Sequence, residues 1–269
     1  MKITSRYYLP MYLCFVLATV ILKVSLLFNQ GNGIFIYSSA RNALSLFQAL
    51  MIFVYVILLI GTCILTYFII IKRFYSNMFG DEGYLMFTLP VSTKQLLGSK
   101  LISALLWQLI LVPMTLGSFL LLFLNTDILN SLSYYLSFFA EELQILQTSG
   151  FHVGLLIAEL LLAAILGMIS SLLEIYLAMT LGQHFFTEHR LLGSIGFYLV
   201  LGSIESTLES FTGTYTNNLL TEYVYSSNLA DLYSALTKTI PISLLCSLIL
   251  IIVYYFVTHY FLDKKLNLN

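Results

Sequence analysis

Long apolar runs alternate with short polar connections along the whole chain. A helix needs about 20 mostly apolar residues to cross a ~30 Å hydrocarbon core. Five runs reach that length: Tyr7–Phe28, Leu44–Ile71, Leu101–Leu124, Phe151–Leu181 and Ile240–Leu262. A sixth, Leu191–Ile204, has 14 residues, about 21 Å as a helix. It either continues as helix through Glu205 to Phe211 or forms part of a re-entrant pair. The pattern predicts an all-α integral membrane protein with six transmembrane helices in a single domain over residues 1–269. The second and fourth runs exceed one span, so they tilt or project into water.

Two connections carry helical periodicity of their own. Between Ile128 and Leu143, apolar residues recur at Ile128, Leu132, Tyr135, Leu136, Phe139 and Leu143. Between Asn218 and Leu236 they recur at Leu220, Tyr223, Leu229, Leu232, Tyr233 and Leu236. Both predict amphipathic helices at the membrane surface, serving as lids on the helix ends or as substrate contacts. Neither a sequence repeat nor a low-complexity tract is evident.

Composition agrees with the runs. Of the 269 residues, 59% are hydrophobic and 9% charged, against about 25% charged in a soluble domain. The net charge of −1 argues against a nucleic-acid partner. Cys14, Cys63 and Cys246 fall inside apolar runs and read as small buried hydrophobes, not as a disulfide framework or metal site. Lys2 and Arg6 precede the first run as in a signal peptide, but Lys23 interrupts it without a small-residue cleavage site, which predicts an uncleaved span. With both termini in the cytoplasm, Lys2, Arg6, Lys72, Arg73, Lys94, Lys100, Arg190, Lys264 and Lys265 all lie inside, nine of the twelve basic residues. That bias sets the predicted orientation. The acids Asp127, Glu141, Glu142, Glu205, Glu209, Glu222 and Asp231 then fall outside.

The connection between the second and third runs, FGDEGYLMFTLPVSTKQLLGSK, is polar and rich in turn formers. Gly80 allows a turn, and Asp81 and Glu82 suit the N-terminus of a helix, where the dipole favours negative charge. Tyr84, Leu85, Phe87, Thr88 and Leu89 make about two turns, which Pro90 ends. Ser92 followed by Gln95 is a capping box that starts a new helix at Thr93 and leads into the third span. Such a segment is either a rigid knob for a cytoplasmic partner or an interfacial turn anchored by Tyr84 and Phe87.

The stretch DEGYLMFTLPVSTKQLLGSKL resembles the segment between spans two and three in permeases of type-2 ATP-binding-cassette (ABC) transporters from Gram-positive bacteria. Asp81, Glu82, Gly83, Tyr84, Leu85, Thr88, Leu89, Pro90, Val91, Lys94, Gln95, Leu96, Leu97, Ser99 and Lys100 carry the likeness. The six-span layout agrees over the rest of the chain. The resemblance implies that Asp81, Glu82, Gly83, Tyr84, Leu85, Phe87, Thr88, Leu89 and Pro90 form a coupling helix that docks on a separate ATPase subunit. That subunit would bind the ATP and magnesium, and this chain would hold no cofactor. It further implies a second permease chain, identical or related, and residence in the bacterial plasma membrane. The polar stretch before span one is very short, so a connecting helix there is reduced or merged into the span.

Other polar residues have two readings each. Glu159 and Glu174 lie inside the fourth run and either snorkel to opposite interfaces or mark a polar path or buried pairing. Lys23 is expected to snorkel at the outer end of span one. Pro113 frees the carbonyl of Leu109 and is expected to kink span three, shaping a substrate path. His184, Glu188, His189 and Arg190 are expected in a turn between spans four and five, as a second cytoplasmic contact. The histidine spacing does not fit a zinc helix.

No catalytic constellation emerges. Glu141-Glu142 is similar to the paired acids of some intramembrane proteases, but the arginine expected after the pair is missing and Leu146 stands in that region. Gly98-Ser99-Lys100 lacks the glycine and spacing of a phosphate-binding loop. The expectation is therefore a transport subunit, not an enzyme, exporting a hydrophobic or amphipathic substrate such as a peptide antibiotic, drug or lipid-like molecule. The rivals are a membrane immunity or sensor protein that binds an antimicrobial peptide without transport, and an intramembrane enzyme using Glu141, Glu142 or His152.

Overall fold

The structure is a computed structural model that describes residues 2–30, 38–80, 92–123, 131, 133–135, 137–138, 153–186, 188–226 and 229–264. Among these, six long helices follow one another: α1 Lys2–Gln30, α2 Ser38–Phe79, α3 Thr93–Phe123, α4 Val153–Phe185, α5 Arg190–Ser226 and α6 Leu229–Lys264. No strand occurs among the described residues. All six helices are long and apolar enough to cross a membrane, so the chain is a multi-pass membrane protein.

The fifth span is an uninterrupted helix of 37 residues, about 55 Å long, rather than a re-entrant pair. Its apolar window runs from Arg190 to Asn218. The periodic segment Asn218–Leu236 is not a separate surface helix. It divides between the last turns of α5 and the first of α6, because its periodicity continues that of the spans on either side. In the other periodic connection, residues 131, 133–135 and 137–138 are helical and the remainder lies outside the described residues. The short polar N-terminus is merged into α1, which starts at Lys2.

Helix ends follow their local chemistry. After α2 the Gly80 amide donates to the Tyr75 carbonyl at 3.2 Å, a closing bond typical of a glycine stop. A Cβ at Gly80 would sit 2.7 Å from the Ser76 carbonyl oxygen. At the start of α3, Ser92 Oγ accepts from the Gln95 amide at 3.4 Å, and the Ser92 carbonyl accepts from Leu96 at 3.1 Å. Ser92 is thus the N-cap that the capping box predicts.

The chain forms two compact units. The first comprises Met1–Ile70 and Leu106–Leu136. Along α1, Tyr8, Tyr12, Phe15, Thr19, Leu22 and Ser25 are buried while Leu9, Leu13, Leu17, Val20 and Val24 are exposed. The buried stripe has helical spacing, and the aliphatic face is the one lipid covers. Tyr8 stacks on Trp107 with centroids 4.1 Å apart, and the Tyr55 and Ser118 hydroxyls bond at 2.9 Å. Gln48 Nε2 donates to the Ser25 carbonyl at 2.8 Å. Inward hydroxyls also return to their own helices, as Thr19 does to the Phe15 carbonyl and Thr66 to that of Thr62. Such bonds matter where no water reaches the polar groups. Lys23 does not simply reach outward: its Nζ donates to the Leu122 carbonyl at 3.2 Å, in the last turn of α3, where the helix dipole favours a cation. Helix α3 continues through Pro113 to Phe123 without a break.

The second unit comprises Ile71–Leu105 and Ser137–Asn269. Within it α4, α5 and α6 pack on one another around Leu173, Leu177 and Tyr254. The last turns of α2 join through a stack of Phe74 on Tyr176. Arg73 donates to Ser103 Oγ at 3.0 Å, and Thr93 Oγ1 donates to Asp263 Oδ1 at 3.0 Å, tying the start of α3 to the end of α6.

Candidate functional site: a carboxyl pair between three helices

Helices α4 and α5 run antiparallel on either side of residues 186–189. Gly182 faces Ser194, and Glu174 faces Gly202. Eight residues back along α4 therefore match eight forward along α5. A Cβ at Gly182 would lie 2.6 Å from Ser194 Cα, so only glycine lets the two backbones approach so closely. Small residues are the usual means of close packing between membrane helices.

This close register places polar groups opposite each other inside the apolar stretches. Glu174 is buried, at 5% exposure. Its carboxyl interacts electrostatically with that of Glu205, and its Oε1 has no hydrogen-bond partner. A Cβ at Gly202 would sit 3.3 Å from the same oxygen. Ser170 Oγ donates to Glu205 Oε1 at 3.1 Å. From α6, Tyr254 at 3% exposure comes within electrostatic reach of both carboxyls, and its hydroxyl has no hydrogen-bond partner.

Two carboxyl groups in contact in a low-dielectric interior need positive charge between or beside them. The three helices place no lysine or arginine within nine residues of Glu174, Glu205 or Tyr254 along the chain, and Arg73 of α2, next to the Phe74–Tyr176 stack, donates to Ser103 Oγ. Helix α4 has no lysine or arginine. The only lysine or arginine of α5 is Arg190, 15 residues before Glu205, and those of α6 are Lys238, 16 residues before Tyr254, and Lys264, 10 residues after it. The separations are about 15–24 Å along a helix.

The sequence-predicted positions fare differently. Glu174 is the buried, paired alternative and not a snorkelling residue, whereas Glu159 is half-buried in α4. Glu205, in the helical continuation of the fifth run, packs against α4 through Ser170. Pro113 lies in the interior of α3, in the first unit. His184 belongs to the last turn of α4 and not to a turn between spans, because the helix runs on to Phe185. Its ring lies 5.1 Å from that of Phe261. Glu188 and His189 lie between α4 and α5, and Arg190 is the first residue of α5, all exposed. Beside them an apolar groove of about 480 Å³ is lined by Phe186, His189, Leu192, Gly193, Gly196 and Phe197, among others. Asp81, Glu82, Gly83, Tyr84, Leu85, Phe87, Thr88, Leu89 and Pro90 lie outside the described residues, between the glycine stop at Gly80 and the cap at Ser92.

Ser170, Glu205 and Tyr254 escape a reading of single runs. A signal was present: Glu174 precedes Glu188 by 14 residues and Glu205 follows it by 17. Two acids at similar distances from a tight turn in an apolar hairpin meet when the hairpin closes. No known protein family, curated protein or solved structure matches the chain.

Proposed function

We propose that this chain is the membrane-spanning subunit of an ABC exporter of the type-2 kind found in Gram-positive bacteria. The observation that carries the reading is the segment Asp81–Pro90. It has the acidic-Gly-Tyr-Leu start and the Thr-Leu-Pro-Val end of that family's coupling helix, and it falls between two of six membrane-length helices. In this reading the N- and C-termini are cytoplasmic, as the distribution of lysine and arginine favours. Two permease chains assemble in the plasma membrane with two ATPase subunits, which bind ATP and magnesium. This chain contributes no ATP site of its own. Closure of the ATPase dimer pushes on Asp81–Leu89 and moves α2 and α3 together.

The substrate is hydrophobic or amphipathic, since the faces available to it are aliphatic and aromatic. The test is transport by membrane vesicles containing the chain and its ATPase. ATP-dependent accumulation of a fluorescent amphipathic peptide is expected, and movement of small hydrophilic solutes alone would sink the substrate assignment.

A further inference from the structure

The group formed by buried Ser170, Glu174 and Tyr254 with half-buried Glu205 has a surplus of acceptors. Ser170 directs its proton to Glu205. Glu174 Oε1 and the Tyr254 hydroxyl are buried with no hydrogen-bond partner, an arrangement that costs stability unless something fills it. A guest carrying several N–H donors and one positive charge would serve all of them.

Metal ions fit less well. Calcium and magnesium take six or more oxygen ligands, and main-chain carbonyls inside α4, α5 and α6 are already bonded within their helices. The side chains alone offer a few oxygens from three directions. That number suits the three donors of an ammonium group. From this geometry we infer that the site binds a primary ammonium group, held by Glu174 and Glu205 with Tyr254 packed beside them. Binding is a property of this chain alone, so the inference stands or falls independently of ATP-driven transport.

The test uses the full-length protein in detergent, titrated with octylammonium and, in parallel, with octyltrimethylammonium, which partitions alike but has no N–H donor. Octylammonium should raise the unfolding temperature and bind at least about tenfold more tightly than its trimethyl analogue, as hydrogen bonds between charged partners require. Glu174→Gln and Glu205→Gln should each weaken it about tenfold or more, and Tyr254→Phe less. The comparison of the two amines needs no variant, so misfolding of Glu174→Gln does not decide the matter. Equal affinity for both amines, no binding, or stabilisation by sodium or calcium without octylammonium would overturn the inference. Repeating the titration in phosphatidylcholine nanodiscs with and without phosphatidylethanolamine distinguishes the source. Suppression of binding by phosphatidylethanolamine supports a lipid headgroup, and undiminished binding supports a free amine.

Discussion

Phe74 and Tyr176 stack face to face, with ring centroids 3.9 Å apart and planes 6° from parallel. Both are fully buried. Phe74 stands seven residues before Asp81, and Tyr176 two residues after Glu174. The stack is thus the joint through which the end of α2, next to the proposed docking segment, meets α4.

Removing one ring should loosen that joint. Phe→Ala changes in packed interiors cost about 3–5 kcal/mol, and the stack adds an orientation-dependent part of about 1 kcal/mol. Phe74→Ala is therefore expected to lower the unfolding temperature strongly, and Phe74→Leu less. Thermal unfolding of the purified chain in one detergent measures both. Equal stability of Phe74→Ala and the unsubstituted chain would show that the stack carries no packing energy.

Two glycines on the α4–α5 seam should respond differently to the same methyl group. At Gly182 the new carbon meets the backbone of Ser194, which cannot move without separating the helices. At Gly202 it meets the end of the Glu174 side chain at 3.3 Å, which can shift by a few tenths of an ångström. Gly182→Ala should cost about 1–3 kcal/mol, as overpacking does, and Gly202→Ala less than about 1 kcal/mol. Unfolding of the two variants side by side checks the order.

Ser92 should hold the first turn of α3. Ser92→Ala is expected to cost about 1 kcal/mol locally, and Ser92→Asp to retain most of the cap. Amide hydrogen exchange at Gln95 and Leu96 should speed up roughly fivefold in the alanine variant. Unchanged exchange would mean that the 3.4 Å bond contributes nothing.

The long elements were legible because lipid demands them. Leu44–Ile71 and Phe151–Leu181 read as helices from length and apolarity alone, and the cap at Ser92 and stop at Gly80 read from side-chain chemistry. Helix overruns were not. Helix α2 continues past Ile71 through Lys72 and Arg73 to Phe79, since Phe74 and Met78 are buried by packing that extends the helix beyond the apolar stretch. The neighbours of Glu205 were not legible for a tertiary reason. In isolation it is an acid after a short apolar run, and only the close approach at Gly182 brings it beside Ser170 and Glu174. Tyr254 is one of many aromatics in α6, and its role depends on which face of that helix turns inward.

The central claim is that Asp81–Pro90 docks on a separate ATPase. Its most direct test is purification of the tagged chain in mild detergent from its native membrane, with co-purifying proteins identified and ATP hydrolysis assayed, for the unsubstituted chain, Glu82→Lys and Gly83→Pro. The account predicts a stoichiometric partner bearing a phosphate-binding loop and ATPase activity. Glu82→Lys and Gly83→Pro should lose that partner or uncouple its hydrolysis from transport while still inserting normally. A chain that purifies alone and without ATPase activity, under conditions that keep other transporters intact, would contradict the claim and favour a membrane immunity or sensor protein.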